Sequence, residues 1–278
     1  MMIDGRTKLI AHIGDPTETF KSPMIYNPLF EARKINAVVM PLGCKSEDYA
    51  NFLKSLFRLT NILGALITMP HKVATLALVD EASVSARIAG ACNAVKMDER
   101  GRLIGDMFDG EGFVRGLKRK GRRIAGGSAF VAGCGGVGSA IAASVARAGV
   151  SRLGLYDLSA YAMDALAKRL QSHYRNLEVI AGSADPAGYD IVVNATPLGM
   201  KKDDPLPMRT DGISSSTFIG EVVMSEEMTP FLTAVRAKGC EVQVGLDMLF
   251  EQIPAYLEFL GLGTATPEEL RELAQIHY

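Results

Sequence analysis

The stretch Phe130-Val131-Ala132-Gly133-Cys134-Gly135-Gly136-Val137-Gly138-Ser139-Ala140 constrains this chain more than any other. A short β-prone run enters three spaced glycines, and a run of small residues leaves them. Gly133, Gly135 and Gly138 fit G-x-G-x-x-G, with Gly136 and Val137 filling the loop. In a dinucleotide site the first glycine makes the tight turn, the second lets the pyrophosphate approach the backbone, and the third packs helix against strand. The phosphates sit on the helix N-terminus, where free N–H groups and the helix dipole favour negative charge. A glycine turn can also serve packing alone, so the context decides. Residues 140–149 read as a small-residue helix, Arg152 to Tyr156 as a second strand, and Asp157 stands at its end. That is the strand–turn–helix–strand–acid order that dinucleotide binding requires.

The chain has 278 residues, enough for two modest domains. A net charge of −1 gives no reason to expect nucleic acid or an anionic membrane as partner. No uninterrupted apolar run approaches a membrane span, and the first residues lack the apolar segment of a signal peptide. A cytoplasmic protein is therefore expected. Cys44, Cys92, Cys134 and Cys240 are widely scattered with no C-x-x-C pair, so neither a metal site nor a disulfide framework is indicated. The four histidines are equally scattered.

In chain order, Leu9 to Ile13, Ala37 to Met40 and Leu63 to Thr68 read as strands. Helices are expected from Ser22-Pro23 to about Lys34, over 47–60, and from about His71 to Asp80. Ser22 suits the N-cap and Pro23 the first helical position. This alternation predicts a first α/β domain with a largely parallel sheet. Asp98-Glu99-Arg100-Gly101, flanked by Ala94 to Met97 and Arg102 to Ile104, signals a hairpin. Residues 111–119 look helical, and the basic run from Lys118 to Arg123 reads as a solvated helix end and linker. Beyond the glycine loop, a helix is expected over 159–173, strands over 177–180, 190–193, 217–223 and 240–244, and helices over 229–238, 246–260 and 267–276. Ligands in open α/β sheets bind beyond the carboxyl ends of the strands. Lys72, Asp109, Thr196 and Met200 follow strands or junctions, and Gln252 lies on the penultimate helix.

These residues fall in motifs that resemble the shikimate dehydrogenases and the related quinate/shikimate dehydrogenases over nearly the whole chain. Gly14-Asp15-Pro16 before Ser22-Pro23 resembles the first loop of that family. Thr68-Met69-Pro70-His71-Lys72 matches T-x-P-x-K, and Ala89-Gly90-Ala91-Cys92-Asn93 matches A-G-A-x-N. Gly105-Asp106-x-x-Asp109-Gly110 matches G-x-N-T-D-G in part. Asn194-Ala195-Thr196-Pro197-Leu198-Gly199-Met200 matches N-A-T-P-x-G-M in full, and the segment from Gly245 through Met248 to Gln252 matches the closing helix. The resemblance implies reversible hydride transfer between a ring hydroxyl of a shikimate-like cyclic hydroxy acid and a nicotinamide. It implies Lys72 as acid/base with Asp109 as its orienting partner. Ser22, Thr68, Asn93 and Gln252 would contact substrate. Asn194, Thr196, Pro197, Met200 and Gly245 would bind the cofactor, with Thr196 and Met200 beside its nicotinamide half.

The departures from the family run in one direction. Phe20 stands where the first carboxylate-binding serine is expected, and Leu66 where an asparagine precedes the T-x-P-x-K threonine. Met107 and Phe108 replace the asparagine and threonine before the aspartate, and Met224 replaces a tyrosine near the substrate carboxylate. A lost buried polar contact costs about 1–3 kcal/mol, so shikimate binding should weaken, and Phe20 and Phe108 add bulk beside the substrate. Quinate or a less polar cyclic polyol is the alternative substrate. At the end of the second nucleotide-domain strand, Tyr156-Asp157-Leu158-Ser159 stands where NADP-using members carry Asn-Arg-Thr/Ser. Asp157 suits both ribose hydroxyls and repels a 2′-phosphate, so NAD is expected over NADP.

The expected architecture is a substrate domain over 1–108 plus 245–278 and a Rossmann-type dinucleotide domain over 109–244, with a cleft between them that closes on the substrate. A monomer or homodimer is expected. Two competing classes are a dinucleotide-binding regulator without catalysis and a folate-type dehydrogenase. Retention of Lys72 and Asp109 argues against the first, and the Asn194–Met200 motif with Gln252 against the second.

Overall fold

The computed structural model describes residues 3–276. The chain divides into two compact units, Met1–Phe108 with Ile253–Tyr278, and Asp109–Gln252. The first unit begins β1 (Lys8–Gly14), α1 (Pro23–Ala32), β2 (Ala37–Gly43), α2 (Ser46–Leu56), β3 (Ile62–Ile67), α3 (Lys72–Leu76), β4 (Glu81–Ala82), α4 (Val84–Ala89), β5 (Ala94–Met97) and β6 (Leu103–Asp106). Its sheet runs β2-β1-β3-β5-β6-β4. β1 pairs in parallel with β2 and β3, while the hairpin turns β5 antiparallel to both β3 and β6. The sheet is largely parallel, as expected, with β5 alone reversed, because the short 98–101 turn returns the chain beside the strand it has just left.

Side chains alternate across a strand, so the two faces can be read from register. Ala11, Ile13, Ala65, Ile67 and Val95 point into a core closed by Tyr49, Leu53 and Leu56 of α2. The opposite face carries the row His12, Leu66, Ala94 and Asp106, each beside the next. Right-handed crossovers from β1 to β2 and from β2 back to β3 travel in opposite directions, which puts α1 and α2 on opposite faces.

Two local expectations change. The helix expected over His71–Asp80 ends at Leu76. Asp80 leaves it for the sheet, where its N–H donates to the Leu103 carbonyl (2.8 Å) and its Oδ2 accepts from the Leu103 N–H (2.7 Å). Ser83 then caps the separate helix α4 through the Ala86 N–H at 3.1 Å. At α1, Ser22 occupies the N-cap position but already has helical dihedrals and makes no side-chain cap hydrogen bond. Its hydroxyl is not spent on the helix.

The second unit contains α5 (Asp109–Arg119), β7 (Ser128–Ala132), α6 (Gly136–Arg147), β8 (Arg152–Tyr156), α7 (Ala160–His173), β9 (Glu178–Ala181), β10 (Ile191–Asn194), β11 (Phe218–Glu221), α8 (Pro230–Ala237) and β12 (Val242–Gln243). Helix α9 (Gly245–Phe259) starts here and ends in the first unit, which closes with α10 (Pro267–Leu273). The return falls at Ile253, inside α9, and not at its start near 245. Its first turns dock on α5, where a Cβ on Gly112 would stand 2.6 Å from both the Met248 carbonyl and the Gln252 Cβ.

All six strands of this unit are parallel, in the order β12-β11-β10-β7-β8-β9. The chain winds outward from β7 through β8 to β9, then restarts beside β7 at β10. This is the doubly wound sheet of dinucleotide-binding folds, and the β7/β10 pair is its switch point. Helix α6 begins at Gly136, earlier than the expected 140, because the turn is completed at Gly133 and the Ser139 N–H already reaches the Gly135 carbonyl at 2.8 Å.

Gly133 has φ +97, and a Cβ there would stand 2.6 Å from the Ala195 carbonyl oxygen on the neighbouring loop. Gly133→Ala should therefore lower the unfolding free energy by at least about 1–3 kcal/mol from backbone strain alone. Urea denaturation reads the effect, and an unchanged midpoint would contradict this geometry.

Candidate active site

Two loops at the carboxyl ends of β7 and β10 meet at the switch point. The Gly133 N–H donates to the Tyr156 carbonyl (2.8 Å), and the Ala195 N–H to the Ala132 carbonyl (2.8 Å). Gly138 sits so close beneath the Gly133 carbonyl that any side chain would collide with it. A Cβ on Gly135 or Gly136, by contrast, would meet nothing within 4 Å. The loop is tight on its protein side and open on its outer side, above the N-terminus of α6. Val137 follows in the first turn of that helix. This arrangement fits a pyrophosphate.

Asp157 is tied to the same loop. Its Oδ2 accepts from the Cys134 N–H at 2.6 Å, and its Oδ1 from the Ser159 N–H at 2.8 Å. Ser159, not Asp157, caps α7, through the Ala162 N–H at 3.2 Å. Each carboxylate oxygen has two lone pairs, so one acceptor position on each remains for a ligand. Leu158 beside it is 92% exposed.

The loop after β10 is shaped by Asn194, which is fully buried. Its Oδ1 accepts from the Thr196 N–H (3.0 Å) and hydroxyl (2.7 Å), and its Nδ2 donates to the Leu198 carbonyl (3.1 Å). Nδ2 also donates to Glu221 Oε1 (2.5 Å), whose other oxygen accepts from the Thr229 hydroxyl. Burial pushes the Glu221 carboxyl up, and these two hydrogen bonds pull it back. The sequence marks Glu221 only as an acid ending an apolar strand. Pro197 and Met200 lie on the exposed side of the loop. Gly245 opens α9 under the Val223 carbonyl, where a side chain would clash. Asp109 begins α5 and is 4% exposed. Gln252 is buried, and its Oε1 has no hydrogen-bond partner.

In the first unit, Lys72 opens α3. The preceding residue anchors it: His71 Nε2 bonds the Cys44 carbonyl at 2.7 Å and the ring stacks on Tyr49 with centroids 4.0 Å apart. The Tyr49 hydroxyl lies 2.6 Å from Thr75 Oγ1, one turn further along α3. Thr68 lies just beyond β3, its N–H donating to the Ile13 carbonyl at 2.9 Å, while the Asp15 N–H reaches the Met69 carbonyl at 3.0 Å. The loops after β1 and β3 are thus laced together. Ser22 and Phe20 lie on the first of these loops. The Phe20 ring stacks on His12 at 4.1 Å, and a Cβ on Gly14 would stand 2.9 Å from it.

Asn93 is fully buried. Its Oδ1 accepts from the Phe108 N–H at 2.9 Å, and its carbonyl accepts from the Tyr256 hydroxyl at 3.3 Å. The Phe108 ring makes edge contacts with Tyr256 (4.9 Å) and Phe259 (5.5 Å). Leu66 and Met107 are buried as well. Lys72 and Asp109 belong to different units. Among the described residues, no three of His, Cys, Asp and Glu gather to hold a metal, and no helix is long and apolar enough to cross a membrane.

The sequence places His12 inside an apolar strand, and a lone histidine between Ala11 and Ile13 is its cue. Burial pushes its pKa down to about 3, and the positive charge of Lys72 acts in the same direction.

The fold defines a two-unit α/β protein with a doubly wound dinucleotide-binding sheet. Residues 12–95 match the model of the shikimate dehydrogenase substrate binding domain. A shikimate dehydrogenase (NADP(+)) of Rubrobacter xylanophilus is 35% identical over 265 residues, spanning 94% of this chain and 93% of that protein. Among solved structures, 5-ketofructose reductase of Gluconobacter sp. strain CHM43 superposes with a TM-score of 0.87 at 26% identity, covering 97% of this chain and 98% of that one. Quinate dehydrogenase from Corynebacterium glutamicum, solved in complex with NAD, superposes with a TM-score of 0.86 at 29% identity, covering 96% and 98%. The chain belongs to the shikimate dehydrogenase family.

The His12 imidazole gives a pH signature. An unfolded chain protonates it near 6.5, the folded one only near 3, so stability contributed by the neutral ring is lost as pH falls across that window. At about 1.4 kcal/mol per pH unit, the full window is worth roughly 5 kcal/mol. His12→Gln removes this titration. The stability of the parent relative to the variant should therefore shrink as pH falls from 6.5 towards 3 in urea denaturation.

Proposed function

We propose that this protein is a nicotinamide-nucleotide-dependent dehydrogenase that reversibly oxidises a ring hydroxyl of a shikimate-like cyclic hydroxy acid. The observation that carries this reading is the open glycine loop above α6 in a chain that also keeps Lys72, Asp109, Asn93 and Gln252 in the family motifs. When bound, the nicotinamide supplies the acceptor or donor of hydride. As the carbon–hydrogen bond breaks and the carbonyl forms, the hydroxyl proton needs an acceptor. Lys72 fills that role, with Asp109 as the carboxylate that serves it. Asn93, Gln252, Thr68 and Ser22 bind the substrate; the uncapped Ser22 hydroxyl and the unpartnered Gln252 Oε1 support that role. Asn194, Thr196, Pro197, Met200 and Gly245 bind the cofactor, with Thr196 and Met200 beside its nicotinamide half.

A second reading of the substrate has its own support. Phe20, Leu66 and Phe108 replace polar residues, and the relatives of similar fold include enzymes named for quinate and for 5-ketofructose. In this reading the protein oxidises quinate or a less polar polyol in preference to shikimate.

For the cofactor, the reading favours NAD over NADP, although the relatives matched in sequence include enzymes named for NADP(+). Asp157 presents a carboxylate at the end of β8, and Leu158 offers no charge to a 2′-phosphate.

Steady-state assays of shikimate, quinate and uncharged cyclic polyols with both nucleotides test these points. kcat/KM with NAD is expected to exceed that with NADP at least tenfold on the best substrate; comparable turnover with NADP would refute the preference. Lys72→Met should lower kcat by about 10²–10⁴-fold, as expected for loss of a general acid/base. Activity within twofold of the parent would remove Lys72 from the mechanism.

A further inference from the structure

The first unit holds a polar group that the dehydrogenase reading leaves unused. His12 lies in the middle of β1 and is 7% exposed, with Nδ1 buried and without a hydrogen-bond partner. Register sets it directly beside Leu66, on the sheet face opposite the core of Ile13 and Ile67. Two residues further along the strand, on the same face, Gly14 leaves room for other side chains. A Cβ there would stand 2.5 Å from Thr68 Cγ2 and 2.9 Å from the Phe20 ring. Phe20 thereby lies back over the strand and stacks on the imidazole. Lys72 is close enough that its charge bears on the ring. His12, Phe20, Leu66, Thr68 and Lys72 thus form one cluster at the carboxyl ends of β1 and β3.

His71, in the same unit, shows how this protein treats a histidine that serves only the fold. It stacks on Tyr49 and also spends Nε2 on the Cys44 carbonyl. His12 has the stacking partner without that hydrogen bond. A buried polar atom with no partner is rare and unfavourable; Nδ1 itself is closed off, and the small exposed part of the ring is what a ligand oxygen can reach.

We propose that His12 is a specificity-determining residue of the substrate site, whose imidazole hydrogen-bonds a hydroxyl or carbonyl oxygen of an uncharged polyhydroxy substrate. This rests on the second reading of the substrate given above, in which a dehydrogenase of this family takes a less polar polyol, and narrows that class to uncharged compounds. A neutral imidazole has one N–H to donate and one nitrogen to accept, which suits a hydroxyl. It carries no charge to balance a carboxylate. Phe20 and Leu66 beside it offer neither charge nor donor, and Lys72 is committed to the reacting hydroxyl. Lys72 is the one charge in this cluster, and with it assigned to the reacting hydroxyl an anion gains little against its lost hydration, whereas the non-polar face of a polyol ring packs against Phe20.

The test uses the full chain and two variants. His12→Phe keeps an aromatic ring against Phe20 and removes the hydrogen bond; His12→Gln keeps a polar group that donates and accepts. Thermal melts and NADH titration check that both fold and hold nucleotide like the parent. Turnover is measured with myo-inositol, 5-ketofructose, shikimate and quinate, and binding of each compound by calorimetry with nucleotide present. The parent should prefer an uncharged compound. His12→Phe should raise its KM at least tenfold with kcat within about threefold, and His12→Gln should recover part of that loss. Efficient shikimate turnover that His12→Phe leaves unchanged would overturn the His12 role and keep the dehydrogenase. Binding of an uncharged compound that His12→Phe abolishes, without turnover in the parent, would keep the role and overturn the dehydrogenase. Neither binding nor turnover of any compound would overturn both.

Discussion

The nucleotide unit depends on how closely two backbones approach one another between β7 and β10. Gly133 turns with a positive φ against the Ala195 carbonyl, and Gly138 packs beneath the Gly133 carbonyl. With those two contacts closed, the first turn of α6 and the loop from Ala195 to Met200 emerge from the switch point side by side. Asp157 reinforces the turn by accepting from the Cys134 N–H, which joins the end of β8 to the glycine loop. Asn194 extends the arrangement outward. It holds Thr196 and the Leu198 carbonyl on one side and Glu221 of β11 on the other. A buried network of this kind is stable only when each member is satisfied. Three loops therefore share one rigid foundation.

The first unit is organised by a different constraint. Its sheet has one ordinary core face and one face on which His12, Leu66 and Thr68 approach the strand ends. Lys72 sits at the start of a helix of only five residues, too short to be stable through its own hydrogen bonds. Tertiary contacts hold it instead: the stack of His71 on Tyr49, the His71 bond to the Cys44 carbonyl, and the Tyr49–Thr75 hydroxyl pair. The apolar substitutions at Phe20, Leu66 and Phe108 each find specific neighbours: His12 for Phe20 and Leu66, and Tyr256 and Phe259 for Phe108. They are built into the packing of the unit.

Much of this architecture is legible in the residues. Strand–helix alternation, the spaced glycines before a small-residue helix, and the 98–101 hairpin each depend on a few neighbouring positions. What escapes a linear reading involves partners far apart. The short β4 exists because Asp80 bonds Leu103, 23 positions away. Glu221 matters through Asn194, 27 positions before it. Ser22 looks like a helix cap by residue type, yet its backbone is already helical and its hydroxyl makes no cap hydrogen bond. Return of the chain to the first unit at Ile253 lies inside a continuous helix, and Pro254 beside it does not end that helix.

The sequence by itself determined the two α/β units, the dinucleotide loop and the motifs that place this chain in its family, because local periodicity and glycine spacing are properties of adjacent residues. It also showed that the substrate motifs had become more apolar. Only the tertiary structure decided what those apolar residues surround. Phe20 and His12 are eight positions apart in the chain and 4.1 Å apart as rings, because Gly14 leaves room for an aromatic side chain over the end of β1. That contact, together with a buried nitrogen that finds no partner, exists only once β1, β3 and the loop beyond Pro16 are packed together.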